Sequence, residues 1–392
     1  MYVIHNGLIV TEEEILENHA LVIDGKYIRA IVPNEEVKNW PNAEQIDANG
    51  AYITPGFIDI HSDYIETISA PRPTSLIDLN ISLKETEKIL INNGITTMFH
   101  SLSLYKTDII SKNMMRTKEN VQRLINLIHE TSDDLHLIRH RLHARFEIDN
   151  TEGVELLLEN IEQNKVHLIS FMDHTPGQGQ YRNLQYYYDT IQGYRSVSNN
   201  EIQTMIAEKQ RAEIITPEQI KHITSCALEK NIAVASHDDD HMEKLHLVQS
   251  FGTTISEFPI TLDVAKEAKR LGLHTVVGAP NVLLGKSHSG NLSAVEAIEN
   301  DCADILCSDY YPSALLHAVF QLHKQYGYDL REMINKVTIN PARAVKMEDE
   351  IGSIQVGKKA DLLIVEEMDH GYPMLTKTMV DGMFITETNY RI

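Results

Sequence analysis

One alternation runs through the middle of the chain and restricts the fold more than any other feature: short apolar segments, each followed by a polar or helical stretch. GITTMFHSL precedes MMRTKENVQRLINLIHE, and VHLISFMDH precedes a long segment rich in charged and polar residues. With ITPGFIDIHSD, LHLIRHRLHARFEI, NIAVASHDD, GTTISEFPIT, LHTVVGAP and ADILCSDYYP, this gives eight strand candidates. Strands separated by helical crossovers pair in parallel. Eight such units predict an α/β fold of the (β/α)8 TIM-like barrel type. An open doubly wound sheet is the alternative, and it fits less well because no glycine-rich dinucleotide turn follows the first strand.

Both ends of the sequence have a different texture. YVIHNGLIV, HALVIDGKYIRAIVP and EQIDANGAYITPG read as short strands broken by turns, as do GSIQVGKKADLLIVE and TMVDGMFITE. Asn6-Gly7, Asp24-Gly25 and Asp381-Gly382 are hairpin signals between apolar runs. The expected organisation is a small β-sandwich domain from residues 1–53 and 352–392 around a barrel at 54–351. The stretch from Thr175 to Glu229 is too long for a simple connection. Its segment SNNEIQTMIAEKQRAEIITPEQIKHITSCALEKN holds two helical patterns, which predicts a helical insertion at about 175–229 over the barrel mouth.

Charge and cysteine usage exclude several classes. A net charge of −21 with no dense Lys/Arg run argues against a nucleic-acid surface. An anionic substrate therefore requires a local positive pocket or metal ions. Cys226, Cys302 and Cys307 form neither a CxxC pair nor a disulfide framework and read as small buried or partly buried thiols. No apolar run approaches the roughly 18 residues of a membrane span, and MYVIHNGLIV is too short and polar for a signal peptide. A soluble cytoplasmic protein is expected, with homo-oligomerisation left open.

Barrels of this kind carry their chemistry at the C-terminal strand ends. Those ends supply His61 and Asp63 from the first strand, then His143, Arg145 and Glu147 from the third. Asp173 and His174 follow from the fourth, His237 and Asp238 from the fifth, Glu257 from the sixth and Asp309 from the eighth. A lone strand-end histidine is ordinarily satisfied by a hydrogen bond. Gathering so many unpaired imidazoles and carboxylates costs several kcal/mol, which divalent metal offsets. The mixed imidazole and carboxylate donors suit Zn first, with Mn or Fe as alternatives, and one or two ions.

The TPGFID-His-x-Asp first strand, the histidines on middle strands, the aspartate after strand eight and the tail TINPARAVKMEDEIGSIQVGKKADLLIVE resemble the amidohydrolase superfamily. The first strand carries His-x-Asp where the commonest pattern has His-x-His, and no lysine stands at the fourth strand end. SFMDHTPGQGQYRN, ASHDDD, GAPNVLLGKSHSGNLSA and CSDYYPSALLHA are similar, over nearly the whole chain, to the PhnM family. These are the α-D-ribose 1-methylphosphonate 5-triphosphate diphosphatases of the carbon–phosphorus lyase pathway. The resemblance implies a metal-dependent hydrolase that cleaves the α–β phosphoanhydride of a small ribose triphosphate and releases pyrophosphate. The ligand set is then His61, Asp63, Glu147, His174, His237 and Asp309, with Glu147 able to bridge two ions and Asp309 the general base. A cyclic amidase or deaminase acting on a C–N bond is the alternative.

The residues beside these ligands fit a polyphosphate. PNVLLGKSHSGN has Pro280 where a Walker A loop needs its first glycine, so it is no P-loop. Lys286, Ser287, His288, Ser289 and Asn291 still offer a cation, hydroxyls and backbone N–H groups ahead of a helical pattern. Gln178, Gln180, Tyr181 and Arg182 follow His174, and Arg145 shares strand three with Glu147. These are the candidate substrate-binding residues.

Overall fold

The computed structural model describes residues 1–106, 113–132, 134–194, 196–287 and 290–390. His288 and Ser289, both candidate phosphate-loop residues, lie outside the described residues.

Eight strands form one parallel sheet: β1 (Phe57–Ser62), β2 (Ile95–Leu104), β3 (Arg139–Glu147), β4 (Leu168–Met172), β5 (Ala233–His237), β6 (Ile255–Glu257), β7 (His274–Gly278) and β8 (Ile305–Cys307). Each pairs with the next in chain order. The sheet closes between β8 and β1 through a parallel bridge from Ser62 to Asp309. The barrel expectation holds, and the open sheet is excluded by that closure. Ile58, Phe99, Leu168, Ala235, Ile255, Val276 and Cys307 come from nearly every strand and pack in one apolar cluster. Outside, Leu142, Ala144 and Phe146 of β3 pack with Leu83, Leu124, Ile125 and Leu157 of the surrounding helices. This is the period-2 division expected of a strand buried on both faces.

Residues from both sequence ends build two further sheets. One has four strands, in the order Tyr27–Pro33, His19–Asp24, Tyr2–His5 and Glu44–Asp47. The other has six, running Met383–Glu387, Pro373–Val380, Leu362–Glu367, Tyr52–Pro55, Leu8–Val10 and Ile15–Leu16. Ile4, Leu21 and Ile23 from the first meet Ile9, Ile53, Leu362 and Met379 from the second in a shared core. Two hairpin expectations hold: His19–Asp24 pairs antiparallel with Tyr27–Pro33, and Val380 pairs with Met383 around Asp381 and Gly382, at φ 48° and 72°. The third fails. Asn6-Gly7 does turn the chain, with Asn6 at φ 57°, but it passes Tyr2–His5 into one sheet and Leu8–Val10 into the other. A turn signal reports backbone conformation and not which edge the next strand finds.

Within the long connection after β4, the two expected helices are Asn199–Gln210 and Pro217–Glu229. Each starts with a reciprocal capping box, Ser198 with Glu201 and Thr216 with Gln219. A third helix, Leu184–Tyr194, precedes them. Pro217–Glu229 belongs to the barrel's outer layer, since Ile223 and Ala227 pack beside Leu157 and Val234. The excursion proper has its own small core of Tyr181, Tyr187, Ile191 and Ile202.

Gly56 joins sheet to barrel. Its N–H donates to the Asp361 carbonyl at 2.9 Å, and a Cβ there would lie 2.3 Å from Thr96 Oγ1 and 2.9 Å from Thr96 Cβ. Gly56→Ala should therefore cost about 1–3 kcal/mol, read as a lower midpoint in denaturant, and Thr96→Ala should recover part of the loss. Unchanged stability in the single variant would show that this junction yields freely.

Candidate active site at the barrel mouth

The site is built where strand ends converge. His61, one residue before the end of β1, is buried, with Nδ1 2.9 Å from Glu257 Oε1 at the end of β6. His237 ends β5. The next residue, Asp238, takes a left-handed φ of 52°, and its Oδ2 comes back to 2.8 Å from His237 Nδ1. Asp238 also stands 3.9 Å from His174 Nε2, while His174 Nδ1 is bonded to Glu147 at the end of β3. Phe258 after β6 and Asp309 after β8 are left-handed too, at φ 54° and 57°. Backbones in this region are sparsely populated and collect at functional sites. Here they allow two successive residues of a strand to serve one cleft.

ASHDDD divides its labour. Asp238 faces the cleft; Asp239 is buried under Ser236, Ser256 and Lys244; Asp240 accepts the Gly179 N–H at 2.8 Å, tying the excursion to β5. Asp59 does not reach the cleft: its Oδ1 accepts the backbone N–H groups of His61 and Ser308, and burial pushes the carboxyl up to about 6. His143 lies below the cleft, fully buried against the Ile60 carbonyl, Ser101 and Ser170, and burial pushes it down to about 3.

Two groups of donors share His237: His61, His237 and Glu257, and His174, His237 and Asp238. Among the described residues Nε2 of buried His237 and Oε2 of Glu257 lack a hydrogen-bond partner, while His237 Nδ1 has Asp238 Oδ2 beside it. Unsatisfied imidazole and carboxylate atoms that converge in this way fit a divalent ion. Burial, with Arg145 and His237 nearby, holds His61 well below its ordinary range, so it is a neutral donor. Glu147 stays low against burial because His174 faces it; Asp238 stays low because His237 and His174 do. Asp309 behaves oppositely: burial, then repulsion from Asp63, raises it to about 7.

A cleft of about 630 Å³ opens over these groups. Of the expected residues, His61, Asp63, His174, His237, Asp309, Arg145, Gln180, Tyr181, Ser287 and Asn291 line it. Glu147 lies just beneath, through His174. Gln178 turns away to Asp173. Arg182 and Lys286 are exposed and do not line the cleft. Sequence reading did not select Asp238 or Glu257 as ligands, although both stood at strand ends. It missed Arg116 and Tyr105 entirely. Arg116 Nε donates to Glu66 Oε2 at 2.6 Å, its Nη2 lies 3.5 Å from Asp63 Oδ2, and its guanidinium sits 5.7 Å from the Tyr105 ring centre. Glu66, three residues past Asp63 on the helix Tyr64–Ser69, was the one signal that could have pointed to this ion pair. Arg145 differs: its Nε donates to Met172 Sδ at 3.1 Å, and among the described residues no carboxylate reaches it within 4.0 Å.

A closed parallel barrel with imidazoles and carboxylates at its C-terminal mouth is the architecture of a metal-assisted hydrolase. Residues 52–386 match the Amidohydrolase family and residues 1–53 the NagA composite domain. The chain belongs to the amidohydrolase family. Among its relatives is the alpha-D-ribose 1-methylphosphonate 5-triphosphate diphosphatase of Escherichia coli (strain K12), 32% identical over 373 residues, covering 94% of this chain and 96% of the relative. An imidazolonepropionase of Thermoanaerobacter pseudethanolicus is 25% identical, covering 92% and 87%. Among solved structures, N-acetylglucosamine-6-phosphate deacetylase from Pasteurella multocida superposes with a TM-score of 0.61 at 16% identity, covering 99% of this chain and 100% of that one. A D-hydantoinase gives 0.63 at 15%, covering 98% and 95%. Among the described residues no helix is long and apolar enough to cross a membrane.

Two outcomes follow from this geometry. His61→Ala and His237→Ala should lose bound metal, measured by elemental analysis after purification without chelators; full occupancy in both would remove the barrel mouth as the metal centre. Asp309 has a folded pKa above its unfolded value, so the metal-free folded state binds the extra proton and loses stability as pH rises from about 4 to about 7. Asp309→Asn should accordingly stabilise the metal-stripped protein above pH 7, by on the order of 1–3 kcal/mol, with the difference fading near pH 4. A variant less stable than wild type at pH 8 would contradict the repulsion.

Proposed function

We propose that the chain is a metal-dependent diphosphatase that hydrolyses the α–β phosphoanhydride of α-D-ribose 1-methylphosphonate 5-triphosphate. Water adds at phosphorus, the anhydride P–O bond breaks, pyrophosphate leaves and a ribose 5-phosphate ester remains. The observation that carries this reading is Arg145, a guanidinium lining the cleft with no carboxylate within 4.0 Å among the described residues, beside the His61, His174 and His237 imidazoles. The relative from Escherichia coli, whose name states this activity, supports it across nearly the full length of both chains.

We assign the ligands to His61, His174, His237, Asp238 and Glu257, with Asp63, Glu147 and Asp309 adjoining, and place one or two ions there, Zn first and Mn or Fe as alternatives. A bound divalent ion supplies Lewis acidity, which acidifies water and polarises a phosphoryl oxygen. Asp309 takes the proton of the attacking water, its carboxyl pushed into the range that suits a general base near neutral pH. Arg145 neutralises phosphoryl oxygens as charge develops, the principal need in phosphoryl transfer. Arg116 is already paired with Glu66 and Asp63 and orients Asp63. Tyr181 and Tyr186 cover the cleft from the excursion and limit bulk water. Lys286 and Arg182, exposed next to the lining residues Ser287 and Tyr181, draw the polyanion toward a chain of net charge −21.

Pyrophosphate and ammonia release, assayed side by side on the ribose triphosphate and on a cyclic amide, test the reading. Ammonia or amide cleavage without pyrophosphate would replace it with C–N hydrolysis. Arg145→Met should keep its metal and lose about 2–4 kcal/mol of transition-state stabilisation. Asp309→Asn should lose about 10² or more in kcat. Lys286→Ala should lower kcat/KM less than Arg145→Met does, and its deficit should shrink as salt is added. Equal effects of Lys286→Ala and Arg145→Met would move the phosphate grip to the rim.

A further inference from the structure

The alternation that points His143, Arg145 and Glu147 of β3 toward the cleft points His140 the other way, with Leu142, Ala144 and Phe146, toward the helical layer. There it meets Glu87 of the helix Leu79–Ile91 and His136 of the segment before β3. His140 Nε2 lies 3.1 Å and His136 Nδ1 3.0 Å from the same oxygen, Glu87 Oε2, and the donor atoms of all three residues lie within 4.8 Å of one another. All three side chains are under 9% exposed, at 4%, 8% and 3% for Glu87, His136 and His140. We propose that Glu87, His136 and His140 form a second divalent-cation site, of the two-imidazole, one-carboxylate kind that takes Zn²⁺, on the face of β3 opposite the active site.

Geometry carries the inference. His136 Nε2 donates to the Thr131 carbonyl at 2.8 Å, which leaves Nδ1 facing Glu87 Oε2 at 3.0 Å, the same oxygen that His140 Nε2 meets at 3.1 Å. Three buried donor atoms thus converge on one point, and ligand atoms around tetrahedral zinc stand about 3.3 Å apart, close to the separations here. The outer partners already match that of a bound ion: His136 Nε2 meets a backbone carbonyl, and His140 Nδ1 meets His100 Nε2 at 2.8 Å.

The positive charge now beside the group is the Lys84 ammonium, 3.2 Å from His136 Nδ1 and 3.3 Å from Glu87 Oε1. Lys84 is 45% exposed and can withdraw into solvent. A divalent ion therefore enters in competition with Lys84, leaving a fourth position for water. Bound there, it would staple the first outer helix to β3 and would act on stability rather than on turnover.

Metal-stripped full-length protein titrated with Zn²⁺ alone in equilibrium dialysis tests this, with Co²⁺ absorption reporting tetrahedral geometry. Wild type should bind about one equivalent more than His136→Gln, with kcat/KM of the two enzymes equal once the barrel mouth is loaded. Lys84→Met leaves all three ligands in place and should tighten that equivalent by about tenfold or more. Should His136→Gln fold poorly, Lys84→Met decides alone. Equal stoichiometry in wild type and His136→Gln, or no tightening in Lys84→Met, would overturn the site and leave Lys84 as the permanent partner of a buried ion cluster.

Discussion

The barrel closes through the backbone of the residue whose side chain faces the cleft. Asp309 donates its N–H to the His61 carbonyl at 3.0 Å and accepts the Asp63 N–H at 3.1 Å and the Ser62 hydroxyl at 2.6 Å. These bonds are the last rungs of the sheet, so closure and the placing of Asp309 against His61 and Asp63 are a single event. The left-handed φ of 57° lets the backbone finish the ladder while the carboxylate stays over the mouth. Aspartate tolerates this conformation better than most residues, and the strain is carried by bonds the barrel needs in any case.

Electrostatic cost is spread unequally around this point. Glu147 and His174 neutralise one another, so that part of the mouth is at rest without any ligand. His237 Nε2 and Glu257 Oε2, without a hydrogen-bond partner among the described residues, Arg145, without a carboxylate partner among them, and the raised carboxyl of Asp309 are not. Tension is thus concentrated on the atoms that metal and phosphate would relieve. A protein with net charge −21 places cations in the cleft, Arg145 on β3 and Arg116 held by its ion pairs to Glu66 and Asp63.

Much of this could be read from the residues alone, and the gaps have physical causes. Apolar runs ending in His, Asp or Glu are local patterns, so the strands, the barrel and His61, His174, His237 and Asp309 were visible. Alternation alone would let only one of His237 and Asp238 reach the mouth; the positive φ that admits both has no sequence mark beyond an aspartate's tolerance of it. Arg116 lies fifty residues from its partner Glu66 and meets it only when the barrel closes. The glycine-rich stretch around Lys286 announced backbone donors, but it could not show that the lysine would lie exposed. Asn6-Gly7 failed for a related reason, since its conformation is local and the destination of the following strand is not.

The sheets assembled from both sequence ends impose an order on synthesis. Tyr52–Pro55 pairs with Leu362–Val365, which emerge from the ribosome only after the entire barrel. At about 5–20 residues per second that wait is on the order of half a minute. Meanwhile Leu8–Val10 and Tyr52–Pro55 present an open β edge, and the apolar surface of Ile9 and Ile53 lacks Leu362, Ile364 and Met379 to cover it. The nascent chain is therefore most exposed to aggregation at its oldest segment, and the residues that end this exposure are among the last to be made.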